Sequence, residues 1–256
     1  MSQPNNIMLF GTGERQLVVI PGLSMTKLRG IENTLQKLFR VFLTDYRVVF
    51  IDRRDTIAAS CSCWTLAEDV YEDMQAVGAA TADVIGVSQG GMIAQCLAIC
   101  HPEAVRRLVL GATLSRPNDT IRTTIGGWCT MVREGRYEEA NADMFRHFFS
   151  DAYLQRYAAA LATAARLMRP EDDERFLRLA QSCMEHDIYD RLDEVRCPVL
   201  VLGGGHDGVV TTQASRDIAE RLHAELHIYD DLRHGIYDEA PDFYPRAYEF
   251  FRREDL

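Results

Sequence analysis

The residue of this chain best suited to chemistry is a serine with a glycine two positions away on each side. The five residues are Gly86-Val87-Ser88-Gln89-Gly90. An apolar run precedes them at 82–85, and a helix-like stretch follows at 91–100. At a sharp turn from a strand into a helix, the serine hydroxyl projects above the sheet as a nucleophile, and larger side chains at 86 and 90 would collide with their neighbours. The alternative is an ordinary glycine-rich turn without chemistry.

A serine nucleophile needs two partners that must be found elsewhere in the chain. Its hydroxyl is weakly nucleophilic at neutral pH, so it requires a histidine as general base and a carboxylate that orients the histidine. For a serine on such a turn, the acid comes next in the chain and the histidine comes last. Asp207 follows the strand-like run 198–202, and His234 follows the strand-like run 225–229. The order and setting predict a catalytic triad of Ser88, Asp207 and His234.

In these contexts the three residues resemble the α/β-hydrolase superfamily, and the resemblance covers nearly the whole chain. It implies the α/β fold class, with a mostly parallel, doubly wound sheet, helices on both faces and catalytic groups at the carboxyl ends of the strands. It also implies a helical lid, or cap, inserted after the strand that the family counts as its sixth. It does not identify a substrate, because this fold hosts many chemistries.

Acyl transfer also needs an oxyanion hole, which consists of two N–H donors aimed at the developing negative charge. One is the backbone N–H of Gln89, directly after the serine. By resemblance, the other is the backbone N–H of Leu23. Relatives commonly have His-Gly where this chain has Pro21-Gly22, but the donor lies beyond the proline, so the hole can still form. The chain also differs from many relatives at 53–57, where they have a turn that contains glycines. The sequence therefore does not predict the shape of this loop.

Other residues compete for the roles of acid and base. Asp119 is the main rival acid, because some relatives carry the carboxylate after the sixth strand. His206 adjoins Asp207, which makes a metal site with His234 conceivable, but no metal-ligand spacing supports it. We therefore predict neither a metal nor an organic cofactor. The remaining histidines fit a helix end, the helical segment or the surroundings of a strand: His101, His147, His186, His223 and His227.

A change of pattern divides the chain. Up to residue 112, short strands alternate with helical stretches such as 65–77, which is predicted to open with a Thr65-x-x-Glu68 capping box. From 114 to about 196 strand-like runs vanish, and apolar residues recur at helical spacing in 138–149, 152–168 and 171–185. We predict a hydrolase core formed by 1–113 and 197–256, and a helical cap formed by 114–196 that covers the site.

The predicted cap contains residues that could line a substrate pocket. Four apolar residues either face the pocket or pack inside the cap: Trp128, Met131, Met144 and Phe148. Three arginines either pair with a substrate carboxylate or lie on a solvated helix face: Arg146, Arg166 and Arg169. These residues leave the substrate unidentified.

Composition excludes several classes of partner. The 256 residues, 47% of them hydrophobic, can bury one large core. A net charge of −10 argues against nucleic acids and anionic membranes as main partners. The start of the chain lacks a signal-peptide pattern, and seven cysteines without a regular framework indicate reduced thiols, with Cys96 and Cys100 in the core. We therefore predict a cytoplasmic protein; a homodimer is compatible with the sequence but is not required by it.

Together these features predict a serine hydrolase that acts on a small-molecule ester. The mechanism would resemble that of a carboxylesterase, in which an acyl-enzyme is released by water. Three alternatives remain open: a lyase or synthase that uses the same triad to abstract a proton, a cofactor-free haloperoxidase or perhydrolase, and a non-catalytic binding protein.

Overall fold

Seven strands form one sheet in the computed structural model of the chain, which describes residues 6–254. The strands are β1 (Ile7–Phe10), β2 (Arg15–Ile20), β3 (Tyr46–Ile51), β4 (Ala82–Val87), β5 (Val105–Gly111), β6 (Val199–Gly204) and β7 (Glu225–Tyr229). Their order across the sheet is β1-β3-β2-β4-β5-β6-β7. β1 is antiparallel to β3, and every other neighbouring pair is parallel. The mostly parallel α/β class predicted from the sequence is confirmed.

Eleven α-helices occur in the same described residues. They are α1 (Glu32–Leu38), α2 (Cys63–Ala76), α3 (Gln89–Cys100), α4 (Asp119–Arg133), α5 (Tyr137–Phe148), α6 (Asp151–Arg156), α7 (Ala158–Leu167), α8 (Asp173–Met184), α9 (Thr212–Leu222), α10 (Ile236–Glu239) and α11 (Phe243–Arg252). Short 3-10 turns lie at Pro102–Ala104 and Tyr189–Glu194. None of these helices is both long and apolar enough to cross a bilayer.

The sheet is covered on both faces because its strands alternate their side chains between two hydrophobic clusters. In β2, Val18 and Ile20 belong to the cluster that contains residues of α2, α3 and α9. Leu17 and Val19, on the other face, belong to the cluster that contains residues of α1 and α11. This alternation with a period of two follows from the pleat of a strand. Helices therefore stabilise the sheet from both sides, as in a doubly wound fold.

The strand order places a crevice between β2 and β4. After β2 the chain moves outward to β3 and then returns to the opposite side of β2 as β4. Loops leaving the carboxyl ends of two such strands diverge, and ligands bind in the resulting gap in open α/β sheets. Ser88 directly follows β4 and Leu23 lies in the loop after β2, so the gap separates these two residues.

All of α4–α8 lies between β5 and β6, in a segment of residues 112–198 that we call the insertion. The insertion contains no strand, and its residues Trp128 and Phe176 belong to the same hydrophobic cluster as Val18 of the sheet. The helix predicted over 152–168 is in fact two, α6 and α7, because Tyr157 leaves the helical conformation (φ −110°, ψ 17°). Its ring packs against Tyr153 at a centroid distance of 4.5 Å, a contact that hydrophobic spacing does not reveal.

Two further local predictions were wrong. The helix predicted over 65–77 begins earlier, at Cys63, because Ser62 is the N-cap and forms the capping box with Thr65 rather than Thr65 with Glu68. Cys100 is exposed at the end of α3, whereas Cys96 lies in the core as predicted. All seven cysteines are unpaired.

Candidate active site

Ser88 occupies a strained turn between β4 and α3. Its backbone has φ 53° and ψ −122°, a conformation that costs a non-glycine residue about 1–3 kcal/mol. Two hydrogen bonds hold it there. The Ser88 N–H donates to the Gly111 carbonyl oxygen at 2.8 Å, and the Thr113 hydroxyl donates to the Ser88 carbonyl oxygen at 2.8 Å. The loop after β5 thus fixes the turn that presents the Ser88 hydroxyl.

The glycines around Ser88 permit close packing that side chains would prevent. A Cβ atom on Gly90 would lie 1.9 Å from the carbonyl oxygen of Ile20, and a Cβ atom on Gly86 would lie 2.5 Å from the carbonyl oxygen of Gly90. Real Cβ atoms do not approach backbone this closely. The two glycines therefore let α3 pack directly against β2 and β4 behind the serine.

Ser88, His234 and Asp207, which lie far apart in the sequence, form one hydrogen-bonded chain. His234 Nε2 lies 2.9 Å from Ser88 Oγ, and His234 Nδ1 lies 2.9 Å from Asp207 Oδ2. His234 is fully buried, and Ser88 and Asp207 are each 8% exposed. With Asp207 accepting a hydrogen bond from Nδ1, the Nε2 atom is free to accept the serine proton.

Asp207 is stabilised as a carboxylate despite its burial. Burial raises the pKa of this carboxyl, but the charge and hydrogen bond of His234 and the backbone N–H groups of Val210 and Val209 outweigh it. The two N–H groups donate to Asp207 Oδ1 at 2.9 and 2.8 Å. The net pKa is below the usual 3.8, so Asp207 carries a negative charge next to His234 at neutral pH.

Two backbone N–H groups next to Ser88 are available to a ligand. Within residues 6–254, neither the Leu23 N–H nor the Gln89 N–H donates to a protein acceptor. Gly22 brings the Leu23 loop close to the serine: a Cβ atom on Gly22 would lie 3.1 Å from Ser88 Cβ. Free N–H groups that flank a nucleophile can bind a negatively charged oxygen.

Arg53 is a residue of the site that sequence reasoning missed. Its side chain is 3% exposed and donates to the carbonyl oxygens of Pro21, at 2.5 Å, and of Gly22. Arg53 thereby holds the loop that carries the Leu23 N–H. The unusual sequence Arg53-Arg54 directly after the buried strand β3 was the available signal, but it does not specify which arginine turns inward.

The insertion contacts the site at two points. The Gln89 side-chain amide donates to the Leu179 carbonyl oxygen at 2.7 Å and to Ser182 Oγ at 3.1 Å, both on α8. At the end of α5, the Phe148 ring lies 5.0 Å from the His234 ring, and the Phe148 carbonyl oxygen accepts from the Gly235 N–H at 2.8 Å. The insertion therefore packs on both the serine loop and the histidine loop.

The rival residues lie away from the hydrogen-bonded chain. Asp119 is exposed on the first turn of α4, and His206 is exposed beside Asp207. His101 bonds to Glu68 at 3.0 Å. No group of three or more His, Cys, Asp or Glu side chains in the described part of the chain is arranged to hold a metal.

The insertion residues predicted from spacing occupy different settings. Trp128 is buried and donates to Asp143 at 2.8 Å, and Met144 is buried as well, so both serve in packing. Phe148 is half-buried and faces His234, whereas Met131 is half-buried against the core cluster. The three arginines lie on the surface: Arg146 pairs with Asp143, Arg169 lies over Tyr137, and Arg166 is exposed.

A cavity of about 270 Å³ adjoins the site on the side of the Leu23 loop. Gly22, Leu23 and Val87 form the wall next to Ser88, and Tyr237 and Asp238 of the loop after His234 form another. No sequence pattern indicated this cavity, because its lining comes from six segments that are separate in the sequence.

Comparison with known proteins identifies similar hydrolases. The chain is 29% identical over 217 residues to a protein of Caulobacter sp. (strain K31) provisionally named carbamate hydrolase RutD, covering 83% of this chain and 80% of that protein. It is 28% identical over 194 residues to the 2-hydroxymuconate semialdehyde hydrolase of Pseudomonas putida, covering 71% and 66%. It is 21% identical over 253 residues to the 3-oxoadipate enol-lactonase 2 of Acinetobacter baylyi, covering 95% and 91%.

Solved structures share the fold over nearly all of the chain. The enol-lactonase of Burkholderia xenovorans LB400 superposes with a TM-score of 0.84 at 18% identity, covering 96% of both chains. A sequence model described as the alpha/beta hydrolase fold matches residues 16–241. The chain therefore belongs to the α/β-hydrolase fold family, and its named relatives are hydrolases.

Proposed function

We propose that this protein is a serine hydrolase of small-molecule esters, with Ser88 as nucleophile, His234 as general base and Asp207 as the residue that orients His234. The observation that carries the proposal is the continuous hydrogen-bonded chain through the three side chains, with 2.9 Å at each step. The strained backbone of Ser88 supports it further, since such strain persists where function requires it.

The mechanism follows from the positions of the atoms. Ser88 Oγ attacks the acyl carbonyl carbon while His234 Nε2 takes its proton, and the imidazolium is stabilised by the Asp207 carboxylate. The Leu23 and Gln89 N–H groups donate to the oxyanion of the tetrahedral intermediate, a contribution of about 3–4 kcal/mol per donor. His234 then protonates the departing alcohol. Water, deprotonated by His234, releases the acyl group from Ser88.

The substrate is proposed to be small and to reach the site beneath the insertion, which acts as a cap. The adjoining cavity of about 270 Å³ holds one arm of a small molecule rather than a polymer. The named relatives include an enol-lactonase, and a lactone is a cyclic ester. Seven unpaired cysteines fit a reducing compartment and support the proposed cytoplasmic location.

A fluorophosphonate probe tests the proposal, because it phosphonylates only a serine that is activated by a base. We expect intact-mass measurement to detect one adduct on the wild-type protein and none on Ser88→Ala or His234→Ala. Thr163→Ala is the matched control, because Thr163 is an exposed hydroxyl residue on α7, and it should keep full labelling. No adduct on the folded wild-type protein would contradict the proposed nucleophile.

If labelling succeeds, product analysis separates the remaining functions. Turnover of an ester panel with incorporation of water into the acid supports hydrolysis. Elimination without incorporation of water would favour a lyase, and turnover that depends on peroxide would favour a perhydrolase. Tight ligand binding without turnover, retained in Ser88→Ala, would favour a binding protein.

A further inference from the structure

Asp238 is a carboxylate that faces the cavity beside the candidate active site. More than a third of the surface of Asp238 is exposed. Asp238 also belongs to the wall of the cavity. Asp238 comes four residues after His234, on α10.

No protein group neutralises Asp238. Within residues 6–254 its carboxylate makes neither a hydrogen bond nor an ion pair, and the described lining of the cavity includes no lysine, arginine or histidine. Its neighbour Glu239 is different, because it accepts hydrogen bonds from the backbone and hydroxyl of Ser150. Asp238 is the only charged residue in the described lining of the cavity, so its carboxylate attracts a cationic ligand group and repels an anionic one.

The rest of the lining suits a cation with an apolar stem. Most of it is aliphatic, including Leu23, Ile31, Leu35 and Leu38. Aromatic rings from Phe39, Phe50, Tyr237 and Tyr244 also line it, and Phe39 and Tyr244 pack edge to face at 4.6 Å. Aromatic rings and carboxylates are groups that recognise ammonium ions in proteins.

The cavity lies next to the candidate catalytic residues. Gly22, which packs against Ser88, belongs to its wall, and the Tyr237 ring lies 6.4 Å from the His234 ring. A substrate whose reacting carbonyl lies at Ser88 can therefore extend one arm into this space.

We propose that this cavity binds an ammonium-bearing arm of the substrate and that Asp238 selects that cation. The proposal rests on the proposed function, because it assigns the charge of one substrate arm of the same site. Burial raises the pKa of Asp238 to about 6, against a smaller opposing effect of His234, so the group is mostly ionised above neutral pH. A carboxylate-bearing arm would be repelled there.

Three probes of one length with different head groups test the proposal: hexylammonium, 1-hexanol and hexanoate. Calorimetry at about pH 8 measures their affinities for Ser88→Ala, which cannot turn over substrate. We expect hexylammonium to bind about tenfold more tightly than hexanol, the factor typical of a hydrogen bond to a charged partner, and hexanoate to bind most weakly. Because the comparison uses Asp238 itself, it does not depend on the folding of a further variant.

Adding Asp238→Asn should remove the preference for hexylammonium and change the affinity for hexanol less than threefold. Asp231→Asn is the matched control, because Asp231 is an exposed aspartate of the loop before His234 and lies outside this cavity. Equal binding of hexylammonium and hexanol, preferential binding of hexanoate, no binding of any probe, or a cation preference that survives Asp238→Asn would each overturn the proposal.

Failure of the two proposals can be told apart. Cation preference without fluorophosphonate labelling would retain the Asp238 subsite and reject the serine hydrolase. Labelling without cation preference would retain the hydrolase and reject the subsite.

Discussion

Arg53 provides the most informative perturbation of the site, because its side chain holds the Leu23 loop and makes no hydrogen bond to Ser88, Asp207 or His234. Replacement by methionine keeps an unbranched stem and removes both donors to the Pro21 and Gly22 carbonyl oxygens. A buried carbonyl left without a donor costs about 1–3 kcal/mol, so two cost about 2–6 kcal/mol if the loop stays in place. If the loop instead turns its carbonyls away, the cost falls but the Leu23 N–H moves with it.

The loss of stability and the loss of rate should therefore both be measurable in Arg53→Met. We expect the free energy of unfolding in urea to fall by about 2–4 kcal/mol. With p-nitrophenyl butyrate, kcat should fall between about tenfold and a few hundredfold, the upper limit being the loss of one oxyanion donor. KM should change less than about threefold, because the lost interaction forms mainly in the transition state.

The adjacent arginine is the matched control. Arg54 is 36% exposed and pairs with Asp69, Glu72 and the buried Asp73 on α2, so Arg54→Met removes ion pairs that do not involve the Leu23 loop. Its kcat should stay within twofold of the wild-type value. An Arg53→Met protein that loses the expected stability but keeps wild-type kcat would refute the positioning role of Arg53.

Three further predictions concern the serine turn and the acid. Ser88→Gly should abolish activity and raise the free energy of unfolding by about 1 kcal/mol, because glycine tolerates φ 53°. Ser88→Ala should abolish activity without this gain in stability. Equal urea midpoints for the two variants would contradict the backbone strain at Ser88. Gly90→Ala should destabilise the protein by more than about 3 kcal/mol. Gly127→Ala should not destabilise it, because a Cβ atom added at this position of α4 would meet no other atom within 4 Å. Thermal unfolding of the two variants compares their stabilities. Asp207→Asn should lower kcat by about 10³–10⁴. Because the pKa of Asp207 is lowered in the folded state, its carboxylate stabilises the fold above about pH 4, and this stabilisation is lost as the pH falls further. The free energy of unfolding of the wild type should therefore fall more steeply in acid than that of Asp207→Asn.

The sequence predicted the features that depend on the backbone conformation required at a few positions. The turn at Ser88 tolerates only glycine at 86 and 90, so its pattern is readable without coordinates. The chain order of the hydrolase fold then directed attention to Asp207 and His234, which the structure brings together with Ser88. The mostly parallel sheet was expected from the resemblance to the α/β-hydrolase superfamily, and the alternation of short apolar strands with helical stretches agreed with it.

Features that depend on side-chain choices between distant segments were not predictable. Nothing in the pair Arg53-Arg54 specifies which side chain turns toward the Pro21 carbonyl, because the choice depends on how two loops that are 32 residues apart in the sequence pack together. Asp238 follows His234 like any polar residue of a loop, and its setting emerges only when α1 closes the cavity. Tyr157 interrupts a helix at a position where the hydrophobic periodicity continues.

The central claim is that Ser88 forms a covalent acyl-enzyme, and rapid quenching during turnover tests it most directly. The protein is mixed with p-nitrophenyl acetate, quenched in acid within milliseconds to seconds, digested and analysed by mass spectrometry. We predict one acetyl group on the peptide that contains Ser88, formed at the rate of a burst of p-nitrophenol and absent in His234→Ala. Steady turnover without an acetylated Ser88 peptide, or acetylation of another residue at the burst rate, would contradict the account.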